Sequence, residues 1–154
     1  MSIRHERIPA APDTGSGPAP QERLLIRPGL QDLPLVYPWF ESVANRLGLQ
    51  ENETFRIHVA LEEAVSNAAR HGFPPDADAW IEIGVVVEPT HAVVTIIDQG
   101  KPFDPLSAAP PKRYTSLDDV VPGGLGISLM RKFTSAMHYA RVGESNRLTM
   151  VFER

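Results

Sequence analysis

The sequence predicts an α+β fold in which helices pack on one face of a mostly antiparallel sheet. Apolar residues recur at helical spacing between residues 51 and 70, whereas two apolar strands follow at 80–88 and 91–98. A further helix and two strands close the chain. With 154 residues, the chain is long enough for one domain with a proper core and too short for two domains with a linker.

The N-terminal segment, residues 1 to 20, is predicted to be a flexible tail. Prolines stand there among alanine, glycine, serine and threonine, a composition that buries too little apolar surface to offset the entropy of ordering. A docking role is the alternative. The folded domain is therefore expected to occupy residues 21 to 154.

The first elements are a short strand at 23–27 and a helix from about residue 34 to 47. Pro38 lacks a backbone donor and fits only the first turn of such a helix, so its start is left open. We expect the rings of Trp39 and Phe40 to be buried against the sheet.

The second helix, about 51–70, carries the central motif. Glu63 and Asn67 lie one turn apart and therefore share a face, although such pairs are most often simply solvated. Gly72 is expected to end the helix. His71, just before it, is favoured as a partner of the negative helix end over a ligand or base. On the adjacent face, the core stripe is Ile57, Leu61, Ala64 and Ala68.

The two middle strands are joined by a short turn at Pro89 and Thr90. The first strand alternates between apolar and other residues, which predicts a half-buried strand. The second is apolar on both faces, which predicts a central position in the sheet. It ends in Asp98 followed by Gly100, a pattern also typical of a simple Asx-turn.

A loop with five prolines runs from residue 99 to 122. Its length, and its position between two candidate binding motifs, predict that it forms a lid that covers a binding site. Gly123, Gly124 and Gly126 follow. Glycines at a helix start present backbone N–H groups that favour phosphate. The helix is predicted at 126–137, with Ile127, Met130 and Phe133 toward the core.

The last two strands are predicted at 138–142 and 147–152, joined by a turn over residues 143–146. Their inward-facing apolar residues are expected to be Leu148, Met150 and Phe152.

Composition excludes several functional classes. A net charge of −4 and a pI near 5.7 give no general attraction to nucleic acid or anionic membrane. The absence of cysteine excludes disulfides and thiolate metal sites. The first residues are charged, and no apolar run resembles a signal peptide or a membrane span. We expect a soluble, cytoplasmic protein without a nucleic-acid or membrane partner.

Three stretches together resemble a known family. Glu-Ala-Val-Ser-Asn-Ala at 63–68, Asp-Gln-Gly-Lys-Pro-Phe-Asp-Pro at 98–105 and Gly-Gly-Leu-Gly at 123–126 resemble the N, G1 and G2 boxes of Bergerat-fold (GHKL) ATPases. The residues of these stretches most resemble those of the RsbW-type anti-sigma-factor serine kinases, and the resemblance covers about residues 22 to 153. The resemblance implies a Bergerat sandwich with an ATP lid, and ATP or ADP with Mg²⁺ as cofactors.

The resemblance also implies roles for individual residues. Glu63 becomes the catalytic base, Asn67 the Mg²⁺ ligand, and Asp98 the acceptor for the adenine amine, with Gly100 leaving room for the base. Two further candidate cofactor-binding residues, Lys112 and Arg113, lie in the lid. The others are His71, Gly123, Gly124, Leu125, Gly126 and Thr149.

By the same resemblance, the protein is a serine/threonine kinase that binds a sigma factor and phosphorylates a STAS-domain antagonist, with a homodimer surface on its first strand and helix. The alternative is a nucleotide-dependent binding module with another target. A detached histidine kinase catalytic domain is disfavoured because no preceding hairpin with a phosphoacceptor histidine is present. A DNA gyrase or mismatch-repair fragment is disfavoured because the transducer domain is missing.

Overall fold

The computed structural model describes residues 19–29, 31–74, 77–107 and 124–154. The predicted tail up to residue 18, the part of the predicted lid from residue 108 onward, and Gly123 lie outside this range. The elements are β1 (Glu22–Ile26), a 3-10 turn (Leu33–Leu35), α1 (Val36–Arg46), α2 (Glu51–Gly72), β2 (Ile81–Val87), β3 (His91–Asp98), a second 3-10 turn (Pro105–Ser107), α3 (Gly124–Phe133), β4 (Ala136–Val142) and β5 (Ser145–Glu153).

The five strands form one antiparallel sheet in the order β1-β2-β3-β5-β4. The α+β class is therefore confirmed, and so is the central position of β3. Asp98, the last residue of β3, pairs with Ile81 on one side and with Asn146 on the other. This register decides which residues meet at the end of the central strand.

Burial alternates along β3 and β5, because one face of the sheet packs on the helices. The buried set on β5 includes Leu148, Met150 and Phe152, as predicted. On β2 the predicted alternation is wrong, since Gly84 and Val86 on the other face are buried too. A Cβ built on Gly84 would lie 3.1 Å from Cβ of Pro20. Pro20 therefore packs against β2.

The first helix accommodates its proline at the N-terminus. Pro38 is the third residue of α1, a position where the missing N–H has no intrahelical partner to lose. Phe40 is fully buried and Trp39 packs against the core, as expected.

The second helix begins with a capping box between Gln50 and Glu53 and includes Gly72 as its last residue. The predicted helix end at Gly72 is therefore confirmed, although Gly72 does not adopt a left-handed conformation. The chain leaves the helix at Phe73, which is extended (φ −132°, ψ 144°).

The third helix ends at Phe133, four residues before its predicted end. Thr134 closes it by donating from its N–H and its hydroxyl to the carbonyl of Met130 (3.0 and 2.8 Å). Ala136 and Met137 then enter β4. Among the described helices, none combines the length and hydropathy needed to cross a bilayer.

The last hairpin turns over two residues rather than the four predicted. Gly143 has φ +59°, a left-handed conformation that suits glycine in a tight turn. Val142 and Ser145 therefore pair directly, and Asn146 becomes part of β5.

Candidate functional site

A cleft that is partly open to solvent lies between α2, α3 and the end of β3. Its apolar wall includes Ala64, Ile96, Met130 and Leu148. Its polar side chains are Asn67, Asp98, Tyr139 and Asn146. A mostly apolar cleft with a few converging polar groups is the usual form of a small-molecule site.

Helix α2 places Asn67 in this cleft. The residue is 7% exposed, and its Nδ2 has no hydrogen-bond partner among the described residues. A carboxamide can rotate to present its oxygen instead, so this buried group is available to a ligand. Mg²⁺ accepts one such oxygen together with waters and phosphate oxygens. The donor chemistry at Asn67 therefore fits the predicted metal.

Glu63, one turn earlier on α2, is half-buried and lies against the first turn of α3. A Cβ built on Gly126 would overlap Oε2 of Glu63. The structure thus brings together the carboxylate of the N-box motif and a glycine of the predicted phosphate-binding turn. Gly124 and Leu125 belong to the same turn of α3. The positive end of the α3 dipole is favourable for a carboxylate at this position.

Asp98 is 6% exposed at the end of β3. Its Oδ1 accepts hydrogen bonds from the N–H of Gly100 and from Nδ2 of Asn146, both at 2.8 Å. Its Oδ2 has no donor within the described part of the chain. Burial raises the pKa of Asp98 above its ordinary value, although these hydrogen bonds and the charge of Arg141 act in the opposite direction.

Gly100 allows the end of β3 to pack on the end of α2. A Cβ built there would lie 2.6 Å from Cα and 2.7 Å from the carbonyl oxygen of Gly72. The N–H of Lys101 donates to that same oxygen at 2.8 Å. The role of Gly100 visible in the structure is therefore close contact with α2, and room for a base stays a prediction.

The sequence interpretation missed the residues that the last hairpin supplies: Asn146, Tyr139 and Arg141. The Oδ1 of Asn146 accepts from the Tyr139 hydroxyl (2.7 Å) and from Nη1 of Arg141 (3.0 Å). Asn146 is 5% exposed. The signal was present, because Asn146 has the same parity as the inward-facing Leu148, and a polar residue at an inward position needs a partner.

Two predicted residues lie differently from the rest. Thr149 is not in the cleft; it pairs with Thr95 and His138 on the opposite face of the sheet from Leu148. Its inclusion among the candidate binding residues is therefore corrected. The exposed ring of His71 lies at the rim, stacked on Phe103 with 4.7 Å between centroids. Phe103 itself lines the cleft.

Three predicted residues, Lys112, Arg113 and Gly123, lie outside the described residues. Their roles stay predictions.

Comparisons with known proteins agree with this geometry. The family model described as a histidine kinase-like ATPase domain matches residues 26–152. The serine/threonine-protein kinase BtrW of Bordetella bronchiseptica is 34% identical over 112 residues, covering 73% of this chain and 79% of that protein. The anti-sigma F factor of Anoxybacillus flavithermus is 27% identical over 101 residues, covering 65% of this chain and 69% of that protein.

Among solved structures, a Mycobacterium tuberculosis chain containing RsbU and RsbW domains matches with a TM-score of 0.60 and 16% identity. The match covers 88% of this chain and 34% of that chain, and it shows the fold. The family match includes Glu63, Asn67, Asp98 and Gly126 and spans well over half of the sequence. The chain therefore belongs to the histidine kinase-like (GHKL) ATPase family, and its relatives include proteins named serine/threonine-protein kinase and anti-sigma F factor.

Proposed function

We propose that this protein is an ATP- and Mg²⁺-dependent serine/threonine kinase and anti-sigma factor that phosphorylates a STAS-domain antagonist in a partner-switching system. The observation that carries the proposal is that Asn67 and Asp98 line one cleft, while Glu63, one turn before Asn67 on α2, lies against the first turn of α3. Relatives named serine/threonine-protein kinase, anti-sigma F factor and, in Oceanobacillus iheyensis, serine-protein kinase RsbW support it.

The cleft offers complementary chemistry for adenosine phosphates. The ring would lie against the apolar wall that includes Ile96, Met130 and Leu148, with its amine toward Oδ2 of Asp98. The phosphates would extend toward the N-terminus of α3, where unpaired N–H groups and the helix dipole favour anions. Glu63 and Asn67 would then lie on the phosphate side.

Asn67 would hold the metal through its carboxamide oxygen. A neutral ligand adds no negative charge beside a triphosphate, and the buried Nδ2 of Asn67 has no hydrogen-bond partner in the described structure. The ion, when bound, supplies charge neutralisation at the β and γ phosphate oxygens.

Glu63 would act as the general base. The serine oxygen of the antagonist forms a bond to the γ-phosphorus, the bond from that phosphorus to the β–γ bridging oxygen breaks, and ADP leaves. The hydroxyl proton passes to the Glu63 carboxylate. General-base assistance of this kind contributes about 10²- to 10⁴-fold in rate. The new phosphate adds negative charge to the antagonist, which favours its release.

The test is transfer of labelled γ-phosphate from ATP to a STAS-domain antagonist of the source cell. Glu63→Gln should bind nucleotide and lose transfer. Glu62→Gln is the matched control, since the neighbouring Glu62 carboxylate is 69% exposed and faces His58. Sigma-factor binding is measured in parallel with ATP and with ADP.

Two outcomes would contradict parts of this proposal, the first the base assignment and the second the kinase assignment. Undiminished transfer by Glu63→Gln would remove the base from the mechanism. Nucleotide binding without phosphate transfer to any partner would instead favour a nucleotide-dependent binding module with a different target.

A further inference from the structure

Asn146 is a buried carboxamide with every polar atom in use. Its Nδ2 donates to Oδ1 of Asp98 (2.8 Å) and to the carbonyl oxygen of Lys101 (2.9 Å). Its Oδ1 accepts from Tyr139 and Arg141. Turning the amide over would place its NH₂ against the Arg141 donor and its oxygen against two acceptors. The surrounding groups therefore fix the orientation of this side chain.

The fixed amide determines how Asp98 presents its carboxylate. The two donors from Gly100 and Asn146 both bind Oδ1. Rotation of the carboxylate would break both hydrogen bonds in a buried site, which is unfavourable. Oδ2 is thereby left as an acceptor without a donor among the described residues, in a residue that lines the cleft.

We infer that Asn146 is a positioning residue for base selection. By holding Oδ1 of Asp98, it keeps Oδ2 available to accept a hydrogen bond from the exocyclic amine of adenine, and this acceptor disfavours the carbonyl oxygen of guanine. The inference rests on the proposed function, because it requires a purine nucleotide in this cleft.

The selectivity follows from the donor and acceptor patterns of the two purines. Adenine carries an amino group at C6, which donates, whereas guanine carries a carbonyl oxygen there, which only accepts. An ionised carboxylate held in one orientation is an acceptor alone, so it rejects the guanine oxygen. A carboxylic acid that is free to rotate and take up a proton can donate to that oxygen. Loss of Asn146 therefore weakens discrimination as well as affinity.

The groups around Asp98 define how its ionisation responds. Asn146 of β5 contacts Asp98 directly, the charge of Arg141 on β4 acts on it, and the uncharged Gly72 adjoins it from the end of α2. Tyr139 of β4 contacts Asn146. Because Asn146 stabilises the ionised form, its removal raises the pKa of Asp98 further. As the pH falls, such a variant therefore loses ADP binding at a higher pH than the wild type does.

The experiment measures ADP and GDP affinities of the full chain by calorimetry across a pH series. Asn146→Leu removes the hydrogen bonds at similar side-chain size, and Asn146→Ser restores one small donor. Arg147→Gln is the control, because Arg147 is adjacent in β5 and lies on the other face of the sheet. Tyr139→Phe removes only the hydroxyl that orients the amide.

For Asn146→Leu we expect ADP affinity to fall about tenfold or more and the ADP-to-GDP preference to shrink. We also expect the pH midpoint of ADP binding to rise. Asn146→Ser should recover part of the preference, Tyr139→Phe should show a smaller change in the same direction, and Arg147→Gln should match the wild type.

A wild-type ADP-to-GDP preference and pH midpoint in Asn146→Leu would overturn the inference while leaving the proposed function intact. If circular dichroism shows that Asn146→Leu does not fold, Tyr139→Phe decides, and an unchanged preference in that variant overturns the inference. A wild-type protein that takes up neither nucleotide would instead overturn the proposed function, and the inference with it.

Discussion

The carboxylate of Glu63 occupies the space that a side chain at Gly126 would need. This contact joins the N-box helix α2 to the first turn of α3. The obstructed group is the end of a flexible side chain, so an added methyl would move the carboxylate rather than break the fold.

Gly126→Ala should therefore reduce phosphate transfer strongly, at least tenfold if Glu63 is the base, with little loss of stability. Transfer rate and urea unfolding are measured together. Gly29→Ala is the control, because a Cβ at Gly29 has open space. Full activity of Gly126→Ala would show that the position of Glu63 is not critical.

Gly100→Ala should act on stability instead. Its new Cβ would meet backbone atoms of Gly72 at 2.6 and 2.7 Å, and backbone cannot move aside cheaply. We expect a loss of about 1–3 kcal/mol in the free energy of unfolding, the usual range for overpacking. The midpoint of urea unfolding checks this, with Gly29→Ala again as the comparison. A midpoint equal to that of the control would mean that the two segments separate freely.

Asn67→Ala should abolish Mg²⁺-dependent nucleotide binding without destabilising the free protein. Because Nδ2 of Asn67 is buried without a partner among the described residues, its removal relieves a desolvation cost of about 1–3 kcal/mol. Asn52→Ala, at the exposed start of the same helix, is the control. Calorimetry with ADP and magnesium is the measurement, and unchanged affinity would count against the role of Asn67.

Asp98→Asn should weaken adenine binding and shift stability with pH. Burial raises the pKa of Asp98, so the protonated form is the one that folding favours. The contribution of Asp98 to stability is therefore present at low pH and lost as the pH rises through its folded pKa. Relative to the wild type, Asp98→Asn should gain stability as the pH rises through that range. Unfolding curves at several pH values check this, and a pH-independent difference would contradict it.

Glu53 should show the opposite pH dependence. Burial by itself would raise the pKa of Glu53, but hydrogen bonds from Arg154 (3.0 Å) and from the N–H of Gln50 (2.6 Å) outweigh it, and the pKa is lowered. The stabilisation is present at neutral pH and lost as the pH falls through the folded pKa. Glu53→Gln should cost about 1–3 kcal/mol at neutral pH and much less in acid.

Glu51→Gln is the control for this measurement, since Glu51 lies in the same helical turn and is exposed. An equal effect of Glu53→Gln at neutral and acid pH would show that the ion pair with Arg154 contributes nothing.

Most of the helices and strands, and all three motifs, could be predicted from the sequence because both depend on local chemistry. The apolar stripe of α2 follows from helical spacing, and the Glu63–Asn67 pair follows from one turn of the same helix. The strand β3 was predicted with the boundaries that it has. The order of the three boxes then identified the family that the comparisons confirm.

Tertiary structure decided how distant segments share the cleft. Asn146 enters the site because a tight turn at Gly143 lets β5 begin at Ser145, and because β5 pairs with β3 in a register that places Asn146 beside Asp98. The same register excludes Thr149. Gly72 serves α2 as a contact surface for Gly100, not as a left-handed stop. The face of the sheet that a strand residue occupies, and the distance between two backbone segments, both depend on partners many residues away in the sequence. Local propensity does not specify those distant pairings.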